Sequence, residues 1–220
     1  MRLDDDTLTV DGIEATGQAA PDRVLLLACG ALAREILAIR DLNGWGHVDL
    51  ACLPAKLHNE PEKIPDAVRA RVHQARADGF GKIYVVYADC GTGGLLDKVC
   101  EEEGVERIEG PHCYSFFEGN AAFAAHEDEI TAFYLTDFLA RQFDTLIWKG
   151  FGLDRHKDMA AMVFAHYEKV VYLAQTDDPA LDAKAEDAAK RLGLAYERRP
   201  TGYGDLTGFV RQAAEAARGT

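Results

Sequence analysis

Short apolar runs alternating with helical stretches constrain the fold of this chain more than any other feature. VLLLAC, starting at Val24, contains no polar residue, as a strand buried on both faces requires. GALAREILAIRDL follows, with Leu32, Ile36 and Ile39 spaced along one side of a helix. A second strand is predicted from His47 to Leu53, where Pro54 ends it. AVRARVHQARADG then reads as a helix that begins near Pro65 and stops at Gly79. KIYVVYAD is the third strand, GTGGLLDKVCEEEG a loop opening into a helix, and VERIEG a short fourth strand. This alternation predicts an α/β protein: an open, mainly parallel sheet of about six or seven strands with helices on both faces, Rossmann-like or flavodoxin-like.

The second half is less regular. Residues 116–143 read as largely helical, DTLIWKG as a strand and HKDMAAMVFAHY as a helix. KVVYLAQ reads as a buried strand, AEDAAKRLG as a helix, LAYERRP as a strand and GDLTGFVRQAAEAARG as the final helix. Residues 1–21 are acidic and weakly patterned, and are expected to form an N-terminal arm or hairpin. Residues 22–220 are expected to form a single α/β domain, with two related lobes an equally economical arrangement.

With 48% hydrophobic and 28% charged residues, the chain has the composition of a soluble globular protein. Its net charge of −13 argues against nucleic acid or an anionic membrane as the main partner, since both demand a basic face. No apolar stretch approaches the roughly 20 residues that span a bilayer. The start, MRLDDDTLTVDGIEA, lacks the basic and apolar regions of a secretion signal. The 5 cysteines are therefore expected to be reduced, in the cytoplasm.

The cysteine positions point to chemistry. Cys29 closes the first strand, Cys90 the third, and Cys113 follows the fourth, while His58 follows the second. Ligands of open α/β sheets bind beyond the carboxyl ends of the strands, so these four groups are expected to converge. Thiolate and imidazole are the usual partners of zinc, and a catalytic zinc keeps three protein ligands and one open position. The expectation is one zinc or iron ion held by Cys90, Cys113, Cys29 and His58. Cys52, inside a strand, and Cys100, on a helix, read as small buried hydrophobes.

Two loops supply the rest of the expected site. DCGTGG places Gly91, Thr92, Gly93 and Gly94 before a helix, where backbone N–H groups can hold a phosphate or carboxylate. It lacks the lysine of a phosphate-binding P-loop and the spacing of a dinucleotide fingerprint. A helix start beside Cys90 favours its thiolate. GPHCYSFFEG brings His112, Tyr114 and Glu118 near Cys113 as acid/base groups. QTDD and TGYGD follow later strands and offer Asp177 and Tyr203 as further contacts.

Four strings, LPAKLHNEPEKIP, YADCGTGGLLD, GPHCYSFFEG and FYLTDFLARQFDTLIWKGFGLDRH, together resemble the domain of unknown function 1638 family over residues 23–207. The resemblance implies a setting in one-carbon or methyl-transfer metabolism, because some members carry a corrinoid/iron–sulfur label or lie near corrinoid methyltransferases. The positions that match are His58, Cys90, His112, Cys113 and Tyr114. The chain lacks the close cysteine quartet of a ferredoxin-type cluster. It also lacks the Asp-x-His-x-x-Gly string of a cobalamin-ligating domain, so corrinoid is not expected to be bound through that motif.

The resulting expectation is a metal-dependent transferase that activates a small, anionic substrate. The alternative is a non-catalytic accessory protein that delivers a metal or corrinoid-type cofactor to a methyltransferase partner. A metal-free enzyme with a cysteine nucleophile is a third reading. A homodimer is the commonest oligomer for such a chain.

Overall fold

The computed structural model describes residues 3–20, 22–126, 129–156 and 159–216. The chain divides into two compact units, one of Met1–Phe116 with Asp205–Thr220 and one of Phe117–Gly204. Both are α/β with parallel sheets, and the seven strands among the described residues are shared between them, four and three.

The first unit contains β1 (Val24–Cys29), β2 (Val48–Leu53), β3 (Lys82–Val86) and the short β4 (Glu106–Arg107). Their order is β2-β1-β3-β4, all parallel. All six residues of β1 are buried, which is why its sequence has no polar position. The chain passes from β1 through α2 (Ala33–Leu42) to β2 on one flank, then through α3 (Ile64–Asp78) to β3 on the other. Connections therefore leave β1 and β3 in opposite directions. That reversal opens a crevice beyond the carboxyl ends of these two strands.

Helix ends follow the sequence signals. Pro65 lies in the first turn of α3, and Gly79 ends it in the left-handed conformation at φ 103°. Gly94 and Gly104 flank α4 (Leu95–Glu103). The last helix, α10 (Gly204–Ala216), belongs to this unit: Phe209 packs edge-on against Tyr84, and the Ala214 carbonyl lies 2.9 Å from His47 Nε2.

The N-terminal segment is neither a loose arm nor a hairpin. Asp4 accepts the Thr7 N–H at 2.8 Å and caps α1 (Asp5–Val10), which buries Leu8 completely. Ile13 then pairs antiparallel with Cys52 on β2. Gly12 makes this approach feasible, because a Cβ there would collide with the Cys52 carbonyl.

The second unit carries β5 (Ala132–Thr136), β6 (Lys169–Ala174) and β7 (Ala195–Pro200) in that order, all parallel. Its helices include α5 (Ser115–Glu118) at the unit boundary, α6 (Asn120–Ala125), α7 (Asp137–Arg141), α8 (Ala160–Val163) and α9 (Pro179–Leu192). Two sequence expectations fail here. AFYLT lies inside the stretch read as helix but forms β5, because its aromatic and β-branched residues pair with the apolar β6. The stretch read as the strand DTLIWKG is helical instead: Phe143–Trp148 is a wide π-type turn. Phe143, Leu146 and Ile147 are buried at helical spacing, so the segment presents one apolar face and not two. Among the described residues, no helix is long and apolar enough to cross a membrane.

Candidate functional site

The carboxyl edge of the first sheet holds three cysteines. Cys29 is the last residue of β1, and the chain turns at once into a short helical turn, Gly30–Leu32. β3 continues through Tyr87 and Ala88 to Asp89 and Cys90. There the Asp89 and Cys90 N–H groups donate to the Gly110 and Pro111 carbonyls, each at 2.9 Å. These two bonds extend the pairing beyond β4 and bring together loops far apart in sequence. Cys90 Sγ lies 3.1 Å from Cys113 Sγ as a result. Cys90 is also the one described non-glycine residue with positive φ, at 49°. Such a backbone costs roughly 1–2 kcal/mol, which the surrounding bonds must offset.

The two thiols share a proton unequally. The Cys113 thiol donates to the Cys90 sulfur and holds its pKa below the ordinary thiol value, against the effect of burial. Backbone N–H groups of Cys113 and Ala88 act in the same direction, while the nearby Asp89 charge opposes them. Cys113 is pushed well up, first by its bond to Cys90 and then by burial. Of the pair, Cys90 is the sulfur that ionises more readily and Cys113 the one that keeps its proton. The helix-start argument for Cys90 is thereby replaced: its stabilisation comes from a sulfur remote in sequence.

Cys29 stays a thiol, with burial raising its pKa to about 11. The Tyr87 phenol lies against it. Tyr87 is only 2% exposed, and its hydroxyl has no hydrogen-bond partner in good geometry. Burial, then the charges of Cys29 and Cys113, push the phenol far up, so it remains a proton donor. A buried hydroxyl without a partner costs about 1–3 kcal/mol. Sequence reading missed Tyr87, and its only signal was a polar-tipped aromatic at the end of a buried strand.

The glycine loop does not stand open to an outside anion. Asp89 Oδ1 accepts the Gly94 N–H and the Thr92 hydroxyl, each at 2.8 Å, and Oδ2 accepts the Gly91 and Gly93 N–H groups at 3.2 Å. Burial raises the pKa of this carboxyl, but the four bonds, led by Gly94, outweigh it and hold the group below the carboxylate range. The place expected for a substrate anion on Gly91, Thr92, Gly93 and Gly94 is filled by the protein's own carboxylate. An aspartate just before a glycine run is the sequence signal for such a turn.

His58 sits on the helical turn Ala55–Asn59 after β2. It keeps solvent contact, yet surrounding protein and then the His112 charge lower its pKa. Burial lowers that of His112, with Asp89 opposing. Both imidazoles are thus neutral near pH 7. His112 stacks on Tyr114 with ring centroids 4.9 Å apart and planes 9° apart.

Glu118 pairs within the second unit. Its partners are Arg199 at 2.8 Å and His126 at 3.2 Å, within a network of Glu129, Glu197 and Lys169 in the second unit. Asp177 likewise pairs with Arg198 at 2.7 Å. Cys52 and Cys100 are buried with raised pKa values, as small hydrophobes would be. Among the described residues, no group of three or more His, Cys, Asp or Glu side chains is spaced to hold a metal ion. Cys90 and Cys113 are the only two expected ligands brought into direct contact there.

An α/β protein with a parallel sheet and a cysteine pair at its switch point is the class these features define. Within that class, the chain belongs to the family described as "Protein of unknown function (DUF1638)", which matches residues 52–210. That span begins inside β2, at Cys52, and includes β3, β4, the cysteine pair and all of the second sheet. No curated protein matches the chain.

Proposed function

We propose that this chain activates a small substrate at a cysteine centre, with the Cys90 sulfur as the reacting atom. One observation carries the reading: Cys90 Sγ lies 3.1 Å from a Cys113 thiol that favours its ionisation. The thiolate is the nucleophilic form of cysteine and also the metal-binding form. The unpartnered Tyr87 hydroxyl supplies a hydrogen bond to whatever enters, and neutral His112 and His58 are available to accept a proton. The Asp89 carboxylate makes the local charge negative, and ionisation of Cys90 adds to it, so a neutral or cationic electrophile suits the site better than an anion.

The family resemblance implies methyl metabolism as the setting. In that case the Cys90 sulfur would attack a methyl group borne by a positively charged or otherwise good leaving group. The S–C bond forms, the bond to the carrier breaks, and its electron pair leaves with the carrier.

A soft metal ion, zinc or iron, is the second reading. It is supported by the contact of the Cys90 and Cys113 sulfurs, and by neutral His58 and His112, the form in which imidazole ligates. Cys90 and Cys113 would be the core ligands, and Cys29 or His58 would have to close in. Sulfurs sharing a tetrahedral ion stand about 3.5–4 Å apart, so the pair would part by roughly half an ångström. Bound there, zinc would lower the pKa of a thiol or water. A non-catalytic accessory role, delivering such an ion or a corrinoid-type cofactor to a methyltransferase, would use the same residues.

Brief treatment of the reduced chain with iodoacetamide near neutral pH, followed by peptide mapping, tests the proposal. Cys90 is expected to be alkylated first. Alkylation of Cys90 no faster than that of buried Cys52 and Cys100 would defeat the proposal. Near-stoichiometric zinc or iron in protein purified without chelator, lost in Cys90→Ser and Cys113→Ser, would establish the second reading.

A further inference from the structure

We propose that Cys90 and Cys113 form a redox-active dithiol, which closes to a disulfide at the expense of a small disulfide of the glutathione class. The inference rests on the reading of Cys90 as the reacting sulfur and adds how that sulfur is switched off.

The pairing is built into the backbone. Two hydrogen bonds of 2.9 Å join residues 89 and 90 to the carbonyls of 110 and 111. On the far side, the His112 carbonyl accepts the Ser115 N–H at 3.0 Å and its hydroxyl at 2.7 Å, which fixes the turn that carries Cys113. Both cysteines are therefore held by neighbouring residues, and their sulfurs meet at 3.1 Å. A disulfide bond is about 2.05 Å long, so closure asks for about 1 Å of sulfur movement.

Access is also asymmetric. Cys52 and Cys100 are each 4% exposed, and Cys29 is closed at 7%. Cys90 is as covered as Cys29, at 7%, but its neighbour Cys113 is partly exposed, so a small disulfide approaches this pair from the Cys113 side.

The step balances. The Cys90 sulfur attacks one sulfur of the small disulfide, forming a mixed disulfide and releasing one thiolate. Cys113 loses its proton and attacks the Cys90 sulfur, expelling the second thiolate. The two cysteines lose two hydrogens, and the small disulfide is reduced to two thiols. The closed pair has no thiolate, so the proposed function stops until a thiol reopens it.

The test uses the full chain, reduced, treated with chelator and mixed with oxidised glutathione near neutral pH. Intact mass and a non-reducing peptide map are read together. Expected is a loss of two hydrogens, a Cys90–Cys113 cross-link and no lasting glutathione adduct. Cys113→Ser should instead trap a stable glutathione adduct at Cys90, and Cys29→Ser should leave the cross-link intact. Circular dichroism confirms that the variants fold. A lasting adduct at Cys90 in the unaltered chain, or no change of mass, overturns the dithiol. Rapid alkylation of Cys90 without any cross-link defeats this inference and leaves the proposed function standing. A cross-link in protein whose Cys90 alkylates no faster than Cys100 does the reverse.

Discussion

The carboxyl edges of the two parallel sheets differ in how their buried polar groups are satisfied. In the second sheet, Asp137 follows β5 and is 1% exposed. It accepts the Tyr172 hydroxyl at 2.7 Å, the Thr176 hydroxyl at 2.5 Å and the Gln175 N–H at 3.1 Å. Its own N–H donates to Gln175 Oε1 at 2.7 Å. In the first sheet, the carboxyl edge carries Cys29, beside a Tyr87 hydroxyl without a hydrogen bond in good geometry and a thiol pair that shares a proton. Buried polar groups that are fully bonded hold a fold together, while those left unsatisfied need a further explanation. The second edge is built for stability. The first keeps bonding capacity in reserve.

The strongest way to break this contrast is Asp137→Ala. It would strand two hydroxyls and the Gln175 N–H, and should lower the unfolding free energy by about 3–4 kcal/mol in urea titrations. A loss below ~1 kcal/mol would remove the structural role assigned to the second edge.

Next in size is the ion network around Glu129. Hydrogen bonds from Arg199, then from Lys169 and Tyr134, outweigh burial and hold the Glu129 carboxyl at about 2. A carboxyl with a depressed folded pKa stabilises the protein above its unfolded value of 4.5, and that contribution is lost as pH falls towards about 2. Stability should therefore decline across this window. Arg199→Ala should lower stability at pH 7 by about 2 kcal/mol and flatten the acid limb. An unchanged acid limb in this variant would mean that other carboxylates dominate it.

The first edge gives smaller effects. Cys113→Ala removes the donor that favours the Cys90 thiolate, so alkylation of Cys90 at neutral pH should slow about 10-fold and its pH profile should move to higher pH. An unmoved profile would show that the backbone N–H groups alone sustain the thiolate. Smallest, and opposite in sign, is Tyr87→Phe. Deleting a hydroxyl that has no partner should leave stability unchanged or raise it by up to ~1 kcal/mol, with the Cys90 alkylation rate as the companion readout. A drop in stability would reveal a bond that the Tyr87 hydroxyl makes after all.

Legibility in the sequence followed the range of the interactions. β1, β2 and β3 were readable because each is an apolar run between local stop signals such as Pro54 and Gly79. Cys29 and Cys90 were readable as strand-end residues for the same reason. β5 was not, because AFYLT leads directly into α7, and only its pairing with β6 distinguishes it from a helix. The turn Phe143–Trp148 was misread because DTLIW is as apolar as a strand, and its one-sided burial is settled by what packs against it. Glu118 was placed beside Cys113 on sequence proximity, but the Arg199 guanidinium and the His126 ring hold it. The glycine loop was read as a cradle for an outside anion, yet Asp89, its immediate neighbour, occupies the N–H groups.

The sequence by itself determined the α/β class, the direction of the main strands, and the presence of soft atoms where those strands end. Those properties depend on period, propensity and stop residues within short windows. Only the tertiary structure decided which soft atoms meet. The order β2-β1-β3-β4 sets β3 beside both β1 and β4, and two bonds beyond β4 bring Cys113 to Cys90. Whether a thiol ionises depends on distances to groups remote in the chain, and the strand order fixes those distances.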